Sequence, residues 1–474
     1  MNDLCWLDAT ALAGLIQEKK VSPREIMTGC LERISSLNPR LNAIVTLEEE
    51  ETLQQQAALA EKKVAAGTCT GPLPGVPFLV KDNVYTRGMR TTMGSRLFEH
   101  YVPAEDAVLV ERLKGAGAIV IGKSNLSEFG LLPVTDNVLF GSTQNPWDLH
   151  RTSGGSSGGS AAALAAGMVP LATGNDAGGS IRVPASYCGV YGIKPSFGRI
   201  PSHPKLTGWE TLVHEGPLTR SVADAALMLQ ILAGPDERDR LSLPSCRSDD
   251  FQVESGGVQG MKIACCVNLG YTHVHPDVAG AVLTAARVFE EMGAEVEELT
   301  LDLPDMLDLL QAMTVVAAVT AHEDRLEEWQ RGCYPKIHSI FAQADHYTAR
   351  DMVRLGRSKE VLWTRLKEIF AAYELLLLPT TPTAAFPFVP GGNIGPREII
   401  GQKVRSLSSL EFTCPFNFTG QPAASVPCGF DPEGLPLGLQ IVGRRFAERA
   451  VLRASAAFEE ARPWKDQRPL AAGP

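Results

Sequence analysis

The chain has 474 residues, 44% of them hydrophobic and 21% charged; this composition supports a large folded core and excludes a chain that is disordered throughout. The net charge of −10, with no Lys/Arg-rich run and no apolar run long enough to span a bilayer, argues against nucleic acids and membranes as partners. The ten cysteines form no CxxC pair and the N-terminus has no signal-peptide pattern, so we predict free thiols and a cytoplasmic protein.

The first segment of the chain, about residues 1–67, is predicted to be helical. Ser22 and Glu25 form a capping-box pattern around a proline at the first helical position, so a helix is expected to begin there. A second helix is predicted over about residues 48–66, which are rich in Glu, Gln, Ala and Lys and are followed by a glycine.

From about residue 70 onward, short apolar runs alternate with helix-forming stretches. The predicted strands are 78–80, 118–121, 169–172, 262–264, 294–299, 375–378, 424–426 and 437–442. The predicted helices are 107–113, 161–166, 222–233, 277–292 and 447–461. This alternation predicts an α/β fold with a central mixed, mostly parallel, twisted sheet covered by helices on both faces.

We expect the whole chain, residues 1–474, to form a single domain. After the N-terminal helical segment, the core is predicted over about 70–235 and a C-terminal sheet and helix over about 375–462. The stretch 300–375 reads as mostly helical, and its pattern fits equally a cap over the sheet and ordinary packing in the outer layer.

A Gly/Ser-rich run, residues 151–160, leads directly into a strong helix former. A flexible linker is therefore a weak reading, and a phosphate-binding loop is excluded because no lysine follows the glycines. Residues 154–158 match the Gly-x-Ser-x-Gly pattern of a nucleophile elbow, which would make Ser156 the nucleophile. That motif should follow an apolar strand and needs a histidine base, but the preceding residues are polar and no histidine has a recognisable setting.

A second glycine cluster, residues 174–184, follows the strand predicted at 169–172. Consecutive small residues allow neighbouring backbone N–H groups to converge on one point, which is the geometry of an oxyanion hole. Ser180 would then be well placed as a nucleophile. An isolated Gly-Gly-Ser would more often be a tight turn with a buried serine.

These two clusters together resemble the signature of the amidase signature family. Lys81, within Val-Lys-Asp-Asn, matches the lysine of that family, and its spacing from Ser156 and Ser180 also fits. Residues 122–129 resemble a further segment of the family, as do 417–422 and 434–440 near the C-terminus. The resemblance extends over about residues 8–460.

The resemblance implies hydrolysis of carboxylic amides by a Ser–cis-Ser–Lys triad without metal or cofactor. In this mechanism Ser180 attacks the carbonyl carbon, and Ser156, which follows a cis peptide bond, passes the proton to a neutral Lys81. The backbone N–H groups of the oxyanion hole are expected from Ala177, Gly178, Gly179 and Ser180. The supporting residues are expected to be Ser157, Asp176 and Arg182.

The sequence leaves the substrate open. If Met93, Phe129 and Trp209 line the pocket, an apolar or aryl amide is expected as the small-molecule substrate, and esters or carbamates also fit the acyl-enzyme chemistry. The resemblance also favours a homodimer. The alternative is the glutaminase subunit of a tRNA-dependent amidotransferase; that relative tends to carry Thr and Gln where this chain has Ala177 and Val183, so a stand-alone amidase is favoured.

Overall fold

The computed structural model describes residues 4–68, 70–205, 211–245, 247–253 and 257–469. The α-helices are α1 (Ala9–Gln17), α2 (Pro23–Leu41), α3 (Glu50–Ala65), α4 (Val108–Gly115), α5 (Gly158–Ala165), α6 (Arg182–Cys188), α7 (Val222–Leu232), α8 (Pro276–Glu291), α9 (Leu307–Ala321), α10 (Leu326–Gly332), α11 (His338–Ala344), α12 (Ala349–Ala372), α13 (Pro415–Phe418) and α14 (Glu448–Ala461). Within these described ranges, no helix has both the length and the apolar composition needed to cross a bilayer.

The strands are β1 (Ile44–Leu47), β2 (Pro77–Lys81), β3 (Ile119–Ser124), β4 (Leu171–Asp176), β5 (Tyr191–Lys194), β6 (His214–Thr219), β7 (Lys262–Cys265), β8 (Glu295–Glu298), β9 (Leu375–Pro379), β10 (Glu398–Ile399), β11 (Gln402–Lys403), β12 (Ala423–Phe430) and β13 (Pro436–Gly443). Eleven of them form one sheet in the order β1-β3-β2-β4-β6-β5-β12-β13-β9-β7-β8, and β10 and β11 form a separate pair. The α/β fold with a large mixed sheet is therefore confirmed.

The central sheet is buried on both faces. Along β9, Leu375 and Leu377 belong to one hydrophobic cluster and Leu376 and Leu378 to another, because successive side chains of a strand point to opposite faces. The first cluster also contains residues of α2, α5, α7, α8 and α14, and the second contains residues of α9 to α12. The predominantly helical character expected for residues 300–375 is thus observed.

The expectation of a mostly parallel sheet is wrong. Parallel pairing is confined to β2 with β3 and β4, and to β7 with β8 and β9; the other six pairings in the large sheet are antiparallel. Three strands that create antiparallel pairings, β1, β5 and β6, are not among those predicted from the sequence. The Gly216–Pro217 pair inside β6 resembles a turn, but a Cβ at Gly216 would lie 2.3 Å from the carbonyl oxygen of Ile193, so the close strand packing requires glycine there.

Several predicted elements lie where the sequence placed them. The capping box of α2 is confirmed, since the Glu25 N–H donates to Ser22 Oγ (3.2 Å) and the Ser22 N–H to Glu25 Oε2 (2.8 Å). The Gly/Ser-rich run leads into α5, as expected. The strand expected at 169–172 extends to Asp176, so the second glycine cluster begins as the buried end of β4.

Candidate active site

Lys81 lies at the end of β2 and is fully buried. Its Nζ donates one hydrogen bond to Ser156 Oγ (2.7 Å) and another to Asn175 Oδ1 (2.7 Å). The Asn175 side chain is held in turn, because its Nδ2 donates to Asn83 Oδ1 at 3.0 Å. The amine therefore sits against two neutral acceptors and forms no direct ion pair with a described residue.

This environment changes the protonation of the lysine. Burial lowers the pKa of Lys81 from 10.5 to about 7, because the ammonium form loses its hydration; the charges of Glu215 and Asp176 oppose this shift only in part. A lysine with such a pKa is partly neutral near pH 7 and can accept a proton. Lys123 on β3 has a similarly lowered pKa, but it lies outside the lining of the site and donates to Thr86 Oγ1 (2.9 Å).

Ser156 lies between β3 and α5 and is almost completely buried. The Gly155–Ser156 peptide bond is cis, as the resemblance implies. A Cβ at Gly155 would lie 2.5 Å from the backbone nitrogen of Val134, so a larger residue there would have to displace backbone. The turn is also held by Thr135, whose Oγ1 donates to the Gly154 carbonyl (2.9 Å) and accepts from the Gly158 N–H (3.0 Å).

Ser180 follows β4 and is only half-buried, so its hydroxyl can meet a molecule in the adjoining cavity. The loop before it is fixed through its carbonyl groups: Thr413 Oγ1 donates to the Gly178 carbonyl (2.5 Å) and the Val183 N–H to the Gly179 carbonyl (2.7 Å). Within the described ranges no acceptor pairs with the N–H groups of residues 177–180. These N–H groups are therefore available to an oxyanion.

The two glycine-rich segments are joined to each other, since the Ser157 N–H donates to the Ser180 carbonyl at 3.2 Å. The Ser157 hydroxyl also approaches the Asn175 carbonyl, at 3.5 Å. The structure thus brings Lys81, Ser156 and Ser180 to one place. Their hydrogen bonds connect Lys81 to Ser156, whereas the Ser180 hydroxyl makes no hydrogen bond to a described residue.

Asp176 and Arg182, which flank the loop of residues 177–181, form a buried ion pair with each other. Two Arg182 nitrogens donate to the Asp176 carboxylate, at 2.9 and 3.0 Å, and both side chains are fully buried. Burial by itself would raise the pKa of Asp176, but the Arg182 guanidinium holds that pKa well below its usual range. Arg182 also donates to the Thr413 carbonyl (2.8 Å) and Gln440 Oε1 (2.7 Å), which ties the loop to the C-terminal part of the sheet.

Two cavities meet at Ser180. The Ser156 cavity is lined by Ser156 and Ser180 and by both polar and apolar side chains; its lining includes Asn83, Tyr85, Leu109, Phe129, Ser156, Asn175, Ser180, Ile200, Ser202, Lys205, Glu215 and Asp239. The Leu310 cavity also reaches Ser180 and is lined in part by aliphatic side chains; its lining includes Leu131, Gly178, Ser180, Leu307, Leu310, Thr314, Val315, Ile340, Gln343, Arg405 and Leu410.

The three residues expected to bind substrate have different positions. Phe129 lines the Ser156 cavity, and its ring packs against His322 and Trp329, with centroids 4.3 and 5.0 Å away. Met93 lies outside the lining of both cavities; it is buried, and its carbonyl accepts the Phe129 N–H at 2.8 Å. Trp209 lies outside the described residues.

Two residues of the site were not assigned a role from the sequence. Asn175 is a direct hydrogen-bond partner of Lys81. Glu215 lines the Ser156 cavity from β6, a strand that the sequence did not reveal, so no signal pointed to it. Its pKa is raised to about 7, chiefly by burial.

Comparisons with known proteins agree with this geometry. The Amidase family model matches residues 25–452. The acylamidase of Rhodococcus erythropolis is 38% identical over 99% of this chain and 98% of that protein. A glutamyl-tRNA(Gln) amidotransferase subunit of Moorella thermoacetica is 36% identical over 98% of this chain and 99% of that protein.

A similar solved structure is that of a bacterial aryl acylamidase of the amidase signature enzymes. It superimposes with a TM-score of 0.93 at 32% identity, over 99% of each chain. With the family model and both relatives matching almost end to end, the chain belongs to the amidase signature family and is a hydrolase that acts on amide C–N bonds.

Proposed function

We propose that this chain is a stand-alone amidase for substrates with an apolar or aryl group, and that it works through an acyl-enzyme on Ser180. One observation carries the proposal: a fully buried lysine donates a 2.7 Å hydrogen bond to Ser156, beside a cavity that also contains the half-buried Ser180. The names of two similar proteins, an acylamidase and an aryl acylamidase, support the substrate class.

The proposed reaction has two steps. Ser180 Oγ attacks the amide carbonyl carbon while its proton passes through Ser156 to the neutral amine of Lys81. The carbonyl oxygen becomes an oxyanion that the N–H groups of residues 177–180 stabilise. The C–N bond then breaks as the proton returns through Ser156 to the leaving nitrogen, and a water molecule hydrolyses the resulting ester by the same route.

The substrate class can be tested with a panel. We expect wild-type protein to hydrolyse anilides and alkyl amides with apolar acyl chains, and the related esters, because aliphatic side chains line the Leu310 cavity close to Ser180. The measurement is kcat/KM for each amide. A strong preference for short polar amides such as acetamide, with anilides inert, would contradict the proposed substrate class.

The glutaminase component of an amidotransferase is the second candidate, because subunits of that enzyme are nearly as similar to this chain as the acylamidase is. The two functions differ in their need for a partner. We expect the isolated chain to be active on anilides and to have negligible glutaminase activity. Glutaminase activity that appears only when the other components of the amidotransferase are added would favour the second candidate.

The pH dependence of kcat/KM should report the ionisation of Lys81. Only the neutral amine accepts a proton, so activity should rise with pH and level off above the pKa of about 7 that burial produces. The profile should be measured from pH 5 to 10 on a substrate that does not itself titrate. An acidic limb near 10.5, the usual pKa of lysine, would show that Lys81 is not the base in this environment.

A further inference from the structure

We infer that Glu215 recognises a hydrogen-bond donor, a hydroxyl or amino group, on the amine portion of the substrate. This inference rests on the proposed function and deepens it. It adds a polar anchor to the apolar walls at Phe129 and around Leu310, and it assigns the two halves of an amide to the two cavities.

The position of Glu215 follows from the pairing of β4 with β6. The two strands are antiparallel, and Glu215 lies directly opposite Asn175. Side chains at opposite positions of neighbouring strands project from the same face of the sheet and lie close together. Asn175 accepts a hydrogen bond from Lys81, so the Glu215 carboxyl is on the catalytic side, where it lines the Ser156 cavity.

One oxygen of this carboxyl lacks a partner. Oε1 accepts a hydrogen bond from the Ser202 hydroxyl at 3.3 Å, but Oε2 is buried and meets no donor in the described ranges of the chain. The side chain as a whole is only 9% exposed. Leaving a buried carboxyl oxygen unpaired is unfavourable, so a donor located in the cavity would bind there.

The neighbouring charges on this wall are already paired. Lys205 Nζ lies 3.0 Å from Asp239 Oδ1, and the Ser202 N–H donates to Asp239 Oδ2 at 3.0 Å. Asp239 and Lys205 therefore satisfy each other. Glu215, which lines the cavity, therefore keeps one carboxyl oxygen without a donor among the described residues.

The route of the proton decides which half of the substrate meets Glu215. In the proposed reaction the leaving nitrogen receives its proton from Ser156, so it must lie beside that hydroxyl. Ser156 lines the cavity that contains Glu215 and is not part of the Leu310 cavity lining. The amine portion therefore occupies the Ser156 cavity, and the acyl chain extends into the Leu310 cavity.

The test uses substrates with one acyl chain and amine portions that differ by a single group. The unsubstituted anilide is compared with its ortho-, meta- and para-hydroxy derivatives, the matching methoxy derivatives and the aminomethyl derivatives. For wild-type protein we expect kcat/KM for at least one hydroxy or aminomethyl isomer to exceed that of its methoxy counterpart or of the parent anilide by roughly 10- to 100-fold. The methoxy series fills similar space but cannot donate.

Variants then locate the acceptor. Glu215→Leu should abolish the preference for the donor substrate, because kcat/KM for the donor substrate should fall by a much larger factor than kcat/KM for the parent anilide. Glu215→Gln, which keeps an acceptor oxygen in nearly the same volume, should retain part of the preference. Leu310→Ala is the matched control from the other cavity, and it should change both substrates by the same factor.

The outcomes separate this inference from the proposed function. Equal kcat/KM for hydroxy and methoxy derivatives in wild type, or an equal loss on both substrates in both Glu215 variants, would overturn the role of Glu215 while amide hydrolysis stands. An equal loss would instead mark Glu215 as structural or as acting only through Lys81. No turnover of any anilide would overturn the proposed function and this inference together.

Discussion

Ser180→Ala should remove essentially all amide hydrolysis, with kcat lowered by about 10⁴-fold or more, because the variant lacks the oxygen that forms the acyl-enzyme in the proposed reaction. Lys81→Ala should cause a loss of similar size, because the groups of a catalytic triad act as one unit and their losses do not add. Ser156→Ala should lower kcat by about 10²- to 10⁴-fold, since it interrupts the path of the proton. The measurement is single-substrate kinetics on an anilide that the wild type hydrolyses.

Lys123→Ala is an informative comparison. Lys123 is also fully buried with a lowered pKa, but it lies outside the lining of both cavities, so its loss should affect the fold more than the chemistry. Circular dichroism should show that the triad variants remain folded. An active Ser180→Ala variant combined with an inactive Ser156→Ala variant would contradict the proposed roles and return the nucleophile to Ser156.

Arg182→Met should destabilise the protein by about 3–5 kcal/mol, because it leaves the Asp176 carboxylate buried without its cation. The same change removes the hydrogen bonds of Arg182 to Thr413, Gln440 and Asn417, so the loop of residues 177–180 loses its connection to the C-terminal part of the chain. The free energy of unfolding from denaturant titration measures the effect. The hydrolytic activity should fall together with the free energy of unfolding, because the loop of residues 177–180 loses its shape.

Arg238→Met is the matched control for that prediction. Arg238 also pairs with a carboxylate, Glu111, at 2.6 Å, but its side chain is 38% exposed. A solvated pair of this kind contributes at most about 1 kcal/mol. If both variants unfolded at the same denaturant concentration, the buried pair would not have the structural role assigned to it.

The sequence singled out the residues that the structure brings together at the candidate site more clearly than it predicted the sheet around them. Ser156 and Ser180 stand in glycine-rich segments, and Lys81 precedes them at the spacing of the family; this pattern can be read from the sequence alone. The strand β6 cannot be recognised in the sequence, because Gly216 and Pro217 resemble a turn. Its identity as a strand depends on the close approach of Ile193. The unpredicted strands β1, β5 and β6 take part in four of the six antiparallel pairings, which explains why a mostly parallel sheet was expected.

The substrate-facing walls were the least predictable part of the site. Phe129 lines the Ser156 cavity, whereas Met93 is buried and lies outside the cavity lining. The identity of a hydrophobic residue does not reveal whether its side chain will line a cavity or pack in the core. The position of Glu215 at the site follows only from the register of β4 and β6, which places it opposite Asn175. Cavity walls combine residues from distant segments, so their composition depends on tertiary packing.

The most direct test of the central claim is to locate the acyl group on the enzyme. An activated ester of an apolar acid should acylate the protein faster than water removes the group, and acid quenching should trap the adduct. Ser156 and Ser180 share one tryptic peptide, since the flanking arginines are Arg151 and Arg182; cleavage before Asp176 separates the two serines. Mass spectrometry should then find the acyl mass on the fragment that begins at Asp176 and contains Ser180. An acyl group on the fragment containing Ser156 would contradict the assignment of Ser180 as the nucleophile.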